Sequence, residues 1–363
     1  MRRERVAVAM SGGVDSSVAA ALLVEQGYEV VGLTMQIWPR EEASEAGAGL
    51  RACCGLEAVE DARGVARTIG IRHYVVNLRE AFQRLVIAPF CDEYLRGRTP
   101  NPCIMCNTRI KFGALLRRAE QIGARYLATG HYARVGWDQE RGRWVVWRAI
   151  DRSKDQSYTL YDLKQEHLAK ALFPLGEMRK TETRARARQL GLSVAAKPDS
   201  QQICFVTEGS YGEYVERQRP GAAKPGPIVD REGRQIGRHR GIPFYTIGQR
   251  HGLRVAHGKP LYVAAIDAAS NRIVVGEEPD LLARGLVMGG VNWLSVSGVP
   301  QGEGRFRVKV RYGAPLVASA ARREGEKVRL RFSRPQRAVA PGQAAVCYEG
   351  EEVAFGGVIE PAL

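Results

Sequence analysis

Three cysteines stand where a packing thiol would be out of place. Cys103 and Cys106 follow Pro100-Asn101-Pro102 within the stretch Gly97 to Phe112, and Cys204 closes Lys197-Pro198-Asp199-Ser200-Gln201-Gln202-Ile203-Cys204. A thiol on a polar, proline-marked segment suits nucleophilic or redox work, because the thiolate is the reactive form and needs access. The C-x-x-C spacing of Cys103 and Cys106 is equally that of half a zinc or iron–sulfur site, with Cys53 and Cys54 as further ligands. Adjacent cysteines seldom both hold one zinc, and there is no second C-x-x-C, so thiol chemistry without a metal is the better reading. Cys53, Cys54, Cys91 and Cys347 are then packing or bystander thiols.

A second chemistry is written at the amino end, in Ala9-Met10-Ser11-Gly12-Gly13-Val14-Asp15-Ser16-Ser17. The apolar run before it has the texture of a buried parallel strand. Ser16 and Ser17 suit a helix start, Val18 to Val24 supply helix formers, and Gly27 ends the helix. A strand, a glycine turn and a helix N-terminus make an anion cradle, in which glycine lets backbone N–H groups approach a phosphate. The string resembles the pyrophosphate loop of the ATP-pyrophosphatase (PP-loop) superfamily. That resemblance implies ATP cleaved to AMP and pyrophosphate, with Asp15 available to the accompanying Mg2+. The alternative loop G-x-x-x-x-G-K-[ST] is absent from the chain.

The elements that must position these groups alternate. Strands are expected at Tyr28 to Met35, Ile71 to Asn77 and Arg125 to Thr129. Helices are expected at Leu56 to Ile69, Arg79 to Leu95 (kinked near Pro89), Phe112 to Ile122 and Glu177 to Leu190, the last basic on one side. An irregular loop would present Cys103 and Cys106, and a hairpin would span Tyr132 to Ile150. Such alternation indicates an α/β fold with a doubly wound parallel sheet and ligands at the carboxyl ends of its strands. Beyond Cys204 the texture turns to short strands and Gly- and Pro-rich turns, and from Gly285 several strands suggest a small β-barrel, with Arg305 to Tyr312 alternating clearly. The expected division is a catalytic domain at 1–205, a small β-rich central domain at 206–278 and a C-terminal β-barrel at 279–363.

The net charge is +15, with 31 Lys and Arg against 23 Asp and Glu in residues 1–200 and 23 against 16 in residues 201–363. An excess spread over both halves fits a large polyanion touching several domains. No apolar run approaches membrane-spanning length, and the basic start Met1-Arg2-Arg3-Glu4-Arg5 leads into a strand. A cytoplasmic protein with no membrane attachment is expected.

Taken in order, the phosphate loop, both cysteine segments, Thr129-Gly130-His131-Tyr132-Ala133, Lys154-Asp155-Gln156-Ser157-Tyr158, Gly248-Gln249-Arg250-His251-Gly252-Leu253, Arg311-Tyr312 and Pro341-Gly342-Gln343 resemble the tRNA-specific 2-thiouridylase family from end to end. That family replaces the 2-oxygen of the wobble uridine by sulfur. The resemblance implies Cys106 as nucleophile and Cys204 as the persulfide-bearing cysteine, with a Cys106–Cys204 disulfide left after turnover. It implies ATP contacts at Ala9 to Ser16, Met35 and Gly130. It implies tRNA contacts at His131, Lys154, Asp155, Gln156, Arg311, Tyr312 and Gln343, a target-base contact at Asn101, Pro102 and Cys103, and a tRNA-contacting central domain. The implied partners are tRNAs for Lys, Glu and Gln and a cysteine desulfurase or sulfur-relay protein. Some family members carry aspartate where this chain has Cys103, so a general acid–base role does not carry over to that position. Two other classes compete: an ATP ligase or amidotransferase acting on a small metabolite, and a non-catalytic tRNA-binding protein. The first leaves the paired cysteines unused, and the second leaves the intact Ser11 to Ser17 loop unused.

Overall fold

The computed structural model describes residues 3–38, 56–199, 203–206, 209–255, 257–300 and 302–361. Cys53, Cys54, Ser200, Gln201 and Gln202 lie outside the described residues. The chain divides into two compact units: residues 1–86 with 103–207 and 351–353, and residues 87–102 with 208–350 and 354–363.

The first unit is built on five parallel strands, β1 (Arg5–Ala9), β2 (Glu29–Gln36), β3 (Arg72–Asn77), β4 (Tyr126–Ala128) and, later in the chain, Ala171–Leu172, in the order β3-β2-β1-β4 and then Ala171–Leu172. Val6, Ala7 and Val8 are fully buried, which is why β1 is apolar on both faces. The chain leaves β1 toward β2 on one side and returns to β4 on the other, so the sheet has its topological switch point between β1 and β4. A crevice opens there outside the strand ends. Helix α1 (Val14–Glu25) packs through Val18, Ala19, Ala20 and Leu23 into a core shared with Ala62 and Val65 of α2 (Leu56–Ile69). The hairpin is present as β5 (Ala133–Asp138) and β6 (Arg143–Arg148).

Several boundaries differ from expectation for physical reasons. Helix α1 begins at Val14, two residues earlier than the serines suggested. Ser16 and Ser17 are not caps: their hydroxyls donate back to the Gly13 carbonyl at 3.3 and 2.8 Å. The segment Arg79 to Leu95 is helical throughout, but Gln83–Ile87 is widened to a π-helix just before Pro89, whose ring and missing N–H an ordinary turn could not accept. The irregular loop at the cysteines is the clearest correction. Pro102–Met105 is a helical turn, Cys106–Leu115 is π-helical and Leu116–Gln121 is α-helical, so Cys103 and Cys106 lie one turn apart on a continuous helix. Pro102 stands at the first turn, where proline costs no hydrogen bond. The basic helix, α3, starts at Lys180 and runs to Gln189.

The second unit holds two β assemblies. Four strands, β7 (Gly226–Val229), β8 (Gln235–His239), β9 (Tyr262–Asp267) and β10 (Arg272–Gly276), pair in the order β9-β10-β7-β8 around Ile228, Val263, Ile273 and Val275. Strand β7 begins at Gly226, at the end of the Pro- and Gly-rich stretch Pro220 to Pro227. Six antiparallel strands then close a barrel: Leu282–Trp293, Gly304–Lys309, Val317–Glu324, Lys327–Arg337, Ala344–Glu349 and Glu352–Ile359, with the first pairing to the last. The alternating strand stops at Lys309, and Arg311 and Tyr312 stand exposed in the turn beyond it.

The barrel core centres on Phe355, wholly buried, with Trp293 and Phe306 rings 4.8 and 5.0 Å away. Phe355→Ala should cost about 3–5 kcal/mol by opening a cavity between these rings. Urea denaturation checks this, and a loss below about 1 kcal/mol contradicts the packing described.

Candidate active site

The Ser11 to Ser17 loop leaves β1 at the switch point. Gly12 has φ +67°, and a Cβ there would lie 2.4 Å from the Ala58 carbonyl oxygen of α2, so only glycine fits. Gly13 is extended at φ −100° and caps α1 without a side-chain hydrogen bond. The Ser16 hydroxyl receives the Ser11 N–H at 3.1 Å, which closes the loop on itself. The N–H groups of the first turn of α1 have no acceptor within the helix and, with the helix dipole, favour an anion.

From the facing strand end, Gly130 presses against this turn. A Cβ on it would lie 2.6 Å from the Ser16 nitrogen. Met35 is buried in β2. Asp15 does not stand free. Its Oδ1 accepts from Lys180 Nζ at 2.7 Å and from the Tyr132 hydroxyl at 2.9 Å, and its Oδ2 accepts from Lys180 at 2.8 Å. Lys180 also pairs with Asp199 Oδ1 at 2.8 Å, and Asp199 receives Lys154 and Arg184, each at 2.8 Å. Burial pushes the Asp199 carboxyl up, but the hydrogen bonds and charges of Lys154 and Lys180 outweigh it and hold it down at about 2. Burial, and then the charge of Asp15, push the Tyr132 phenol far above its usual range, so it stays a donor.

Cys106 opens the π-helical segment, partly buried, with Cys103 exposed one turn earlier. Burial pushes the Cys106 thiol up to about 11, against the opposing charge of Lys111. Lys111 Nζ donates to Asn107 Oδ1 at 2.9 Å and reaches His131 Nε2 at 3.5 Å, while His131 Nδ1 lies 2.6 Å from Thr129 Oγ1. Lysine can only donate, so Nε2 is the acceptor and Nδ1 carries the proton. Burial and Lys111 hold the imidazole well below its ordinary pKa, hence neutral. Cys204 lies in a turn beside Phe205, whose ring meets Phe82 edge-on at 5.7 Å. Phe82 belongs to the helical segment Arg79–Phe82, which packs on the Cys106 segment. Cys91, Cys103, Cys106, Cys204 and Cys347 stand in no disulfide, and among the described residues no cluster of three or more His, Cys, Asp or Glu could hold a metal.

Other expected contacts take different forms. Asp155 is buried: it accepts from the backbone N–H groups of Ala149 and Ser157, each at 3.2 Å, and from Arg148 Nε at 3.2 Å, so it shapes its loop and offers no free face. The Gln156 amide oxygen receives the Tyr132 N–H at 2.9 Å. In the second unit, Gln343 Nε2 donates to the Thr99 carbonyl at 2.8 Å, which fixes the chain two residues before Asn101 and Pro102. Lys180, Tyr132 and Lys111 were not among the expected site residues, although Tyr132 lies in the string Thr129 to Ala133 and Lys111 in the stretch Gly97 to Phe112. In the basic helix Lys180 is turned inward and buried. A lysine at the first position of a helix, where the dipole disfavours a cation, was the one available signal.

These residues fit a triphosphate. Gly12 and Gly130 keep the cradle bare of side chains, and Lys180 and Lys154 supply positive charge beside it. Asp15 Oδ2, with a single donor, retains a lone pair for one bond to a divalent cation.

A parallel sheet whose switch point carries this loop defines a PP-loop nucleotide-dependent enzyme, here with thiols on the adjoining helix. Residues 4–208 match the family model described as tRNA methyl transferase HUP domain, residues 213–277 the tRNA methyl transferase PRC-barrel domain and residues 283–359 the aminomethyltransferase beta-barrel domain. The chain is 51% identical over 354 residues to tRNA-specific 2-thiouridylase MnmA of Moorella thermoacetica, covering 97% of this chain and 98% of that one. It is 50% identical over 365 residues to the protein of the same name from Carboxydothermus hydrogenoformans, covering 99% of each. The Heliobacterium modesticaldum relative is 49% identical over 360 residues, with 98% and 92% covered. The chain belongs to the tRNA-specific 2-thiouridylase family.

With its thiol held at about 11, Cys106 should be alkylated slowly at neutral pH. Its rate should climb about tenfold per pH unit until near that value, because only the thiolate reacts. Peptide mass spectrometry after iodoacetamide pulses measures this; a plateau already at pH 8 contradicts the buried, protonated thiol.

Proposed function

We propose that the protein uses ATP to activate the C2 oxygen of the wobble uridine in tRNA and exchanges it for sulfur drawn from a cysteine persulfide. The observation that carries this reading is the meeting of a bare phosphate loop, Lys180 and a thiol-bearing helix around Gly130 and His131. Methyl transfer, the wording of two matched family models, would leave both the loop and the cysteines without work. No described helix is long and apolar enough to cross a membrane.

In this reading Ala9 to Ser16, Met35 and Gly130 receive ATP. The uridine oxygen attacks the α-phosphorus, pyrophosphate departs toward α1 and Lys180, and C2 is left bearing AMP as its leaving group. Mg2+ would enter with the phosphates, held at Asp15, and supply charge neutralisation there. Sulfur arrives as the ionised persulfide Cys204–S–S⁻, loaded by a cysteine desulfurase or a relay protein. Cys106 then attacks Cys204 Sγ and forms the Cys106–Cys204 disulfide. Its proton goes to the departing sulfur, which leaves as hydrosulfide and displaces AMP from C2. If the terminal persulfide sulfur attacks C2 first, Cys106 resolves the mixed disulfide and the same Cys106–Cys204 bond remains. Either way an external reductant must supply two electrons. Cys103, with Asn101 and Pro102, meets the base. His131, Lys154, Gln156, Arg311, Tyr312 and Gln343 serve tRNA, and Asp155 acts through the loop it holds. The expected substrates are tRNAs for Lys, Glu and Gln, and the expected division is 1–205, 206–278 and 279–363.

Incubation with unmodified tRNA, ATP and a persulfide donor should give 2-thiouridine with AMP and pyrophosphate in equal amounts; ADP as product defeats the reading. Cys204→Ser should abolish persulfide loading, Cys106→Ser should load yet not transfer, and Cys103→Ser should keep much of the activity. Cys103 and Cys106 failing together with loss of a bound metal would favour a cluster instead.

Lys180→Gln should lower kcat/KM for ATP by about 100-fold or more, since it removes a preorganised charge at the leaving pyrophosphate. Pyrophosphate release in the presence of saturating tRNA reads this out, and wild-type kinetics in the variant refutes the role.

A further inference from the structure

Lys154, Lys170, Lys180 and Lys197 each pair with a carboxylate. Lys111, half-buried, forms no ion pair among the described residues. Its ammonium meets only the Asn107 amide and the neutral His131 imidazole. Both partners are themselves fixed. Asn107 is buried and donates to the Thr159 carbonyl at 3.0 Å, and His131 is buried with its other nitrogen on Thr129. A cation drawn partly out of water pays desolvation that neutral partners only partly return. They orient the charge without cancelling it, so it remains available to a neighbour.

The backbone turns that charge toward Cys106. In an α-helix a side chain five residues on stands about 140° round the axis. Cys106–Leu115 is π-helical instead, with hydrogen bonds from i to i+5, as from the Leu116 N–H to the Lys111 carbonyl. The wider turn brings residue 111 back over residue 106. Ten residues make a long run of an element met mostly as single-turn bulges, often at functional sites. The segments packed on this one carry Arg79, Glu80 and Tyr158, and Asp162 meets Thr108. The charges that act on the Cys106 thiol are nonetheless Lys111, which favours its ionisation, and Cys103, which opposes it.

We propose that Lys111, steadied by Asn107 and His131, is the electrostatic partner of Cys106 and stabilises the sulfur anions of the exchange step. The proposal rests on the sulfur-transfer reading above. As Cys106 sulfur bonds to Cys204 Sγ, the sulfur–sulfur bond of the ionised persulfide breaks. The thiol proton passes to the terminal sulfur, and hydrosulfide leaves. Negative charge stays on sulfur throughout, and one ammonium beside it serves both the attacking and the departing atom.

Lys111→Met tests this, with Lys111→Arg as the variant that keeps the charge. Iodoacetamide pulses between about pH 8 and pH 10 should alkylate Cys106 roughly three- to tenfold more slowly in the Met variant, because its thiol ionises still less readily. The Arg variant should stay near the wild-type rate. With persulfide preloaded on Cys204, the Cys106–Cys204 disulfide should form more slowly by a similar factor in the Met variant. Persulfide loading, KM for ATP and thermal unfolding should keep their wild-type values. A wild-type alkylation profile in the Met variant overturns the proposal and leaves the sulfur-transfer reading intact. Equal slowing in the Met and Arg variants overturns it too, since packing and not charge would then be at work. Wild-type protein that loads persulfide yet never forms the Cys106–Cys204 bond removes the sulfur-transfer reading, and the role of Lys111 with it.

Discussion

Two helix N-termini, those of α1 and α3, bring their partial positive charges to the mouth of the parallel sheet, and Lys180 adds a full charge at the start of the second. A lysine at that end of a helix is unfavourable alone. The pairing of Lys180 with Asp15 and Asp199 makes the arrangement tolerable. With Lys154 and Arg184 included, three cations meet Asp15 and Asp199, and a third carboxylate, Asp151, accepts the Lys180 backbone N–H at 2.9 Å at the start of α3. The cluster is therefore held together without a ligand. Removing either carboxylate would turn a stable cluster into a self-repelling one.

The same region explains why Gly130 and His131 adjoin. Gly130 touches the backbone of α1 beside Asp15, while His131 faces Lys111, four residues beyond Asn107 and five beyond Cys106. Two consecutive residues at the end of β4 thus hold the phosphate loop on one side and the thiol helix on the other. A neutral imidazole serves this better than a charged one, since an imidazolium would repel Lys111 across the contact.

The parts of the molecule legible in the sequence were those where one local rule governs. The apolar run of β1, the glycines of the loop, the amphipathic helix Leu56–Ile69 and the alternating barrel strands each satisfy such a rule within a few residues. The loop expected at Cys103 and Cys106 failed because two prolines were taken as breakers, whereas Pro102 occupies the first turn of a helix, where proline is at home. Asp15 was read as free because its partner, Lys180, lies 165 residues away in the chain and no spacing rule links them. Asp155 stood within a polar string that gave no sign of burial; its neighbours in space, Arg148 and Ala149, decide its environment.

The high pKa of Cys106 at first looks wrong for a nucleophile. On the proposed route a thiolate at Cys106 would face the phosphates of ATP with like charge, and it would be open to oxidation before sulfur was delivered. A protonated Cys106 avoids both. Its proton then has a use on the proposed route, because sulfur expelled from an ionised persulfide needs one to leave as hydrosulfide. Attack by Cys106 and protonation of the departing sulfur balance in a single exchange, in which no net charge is created within the pocket. Burial that suppresses ionisation thus favours the one reaction in which the thiol proton is consumed as the sulfur–sulfur bond forms.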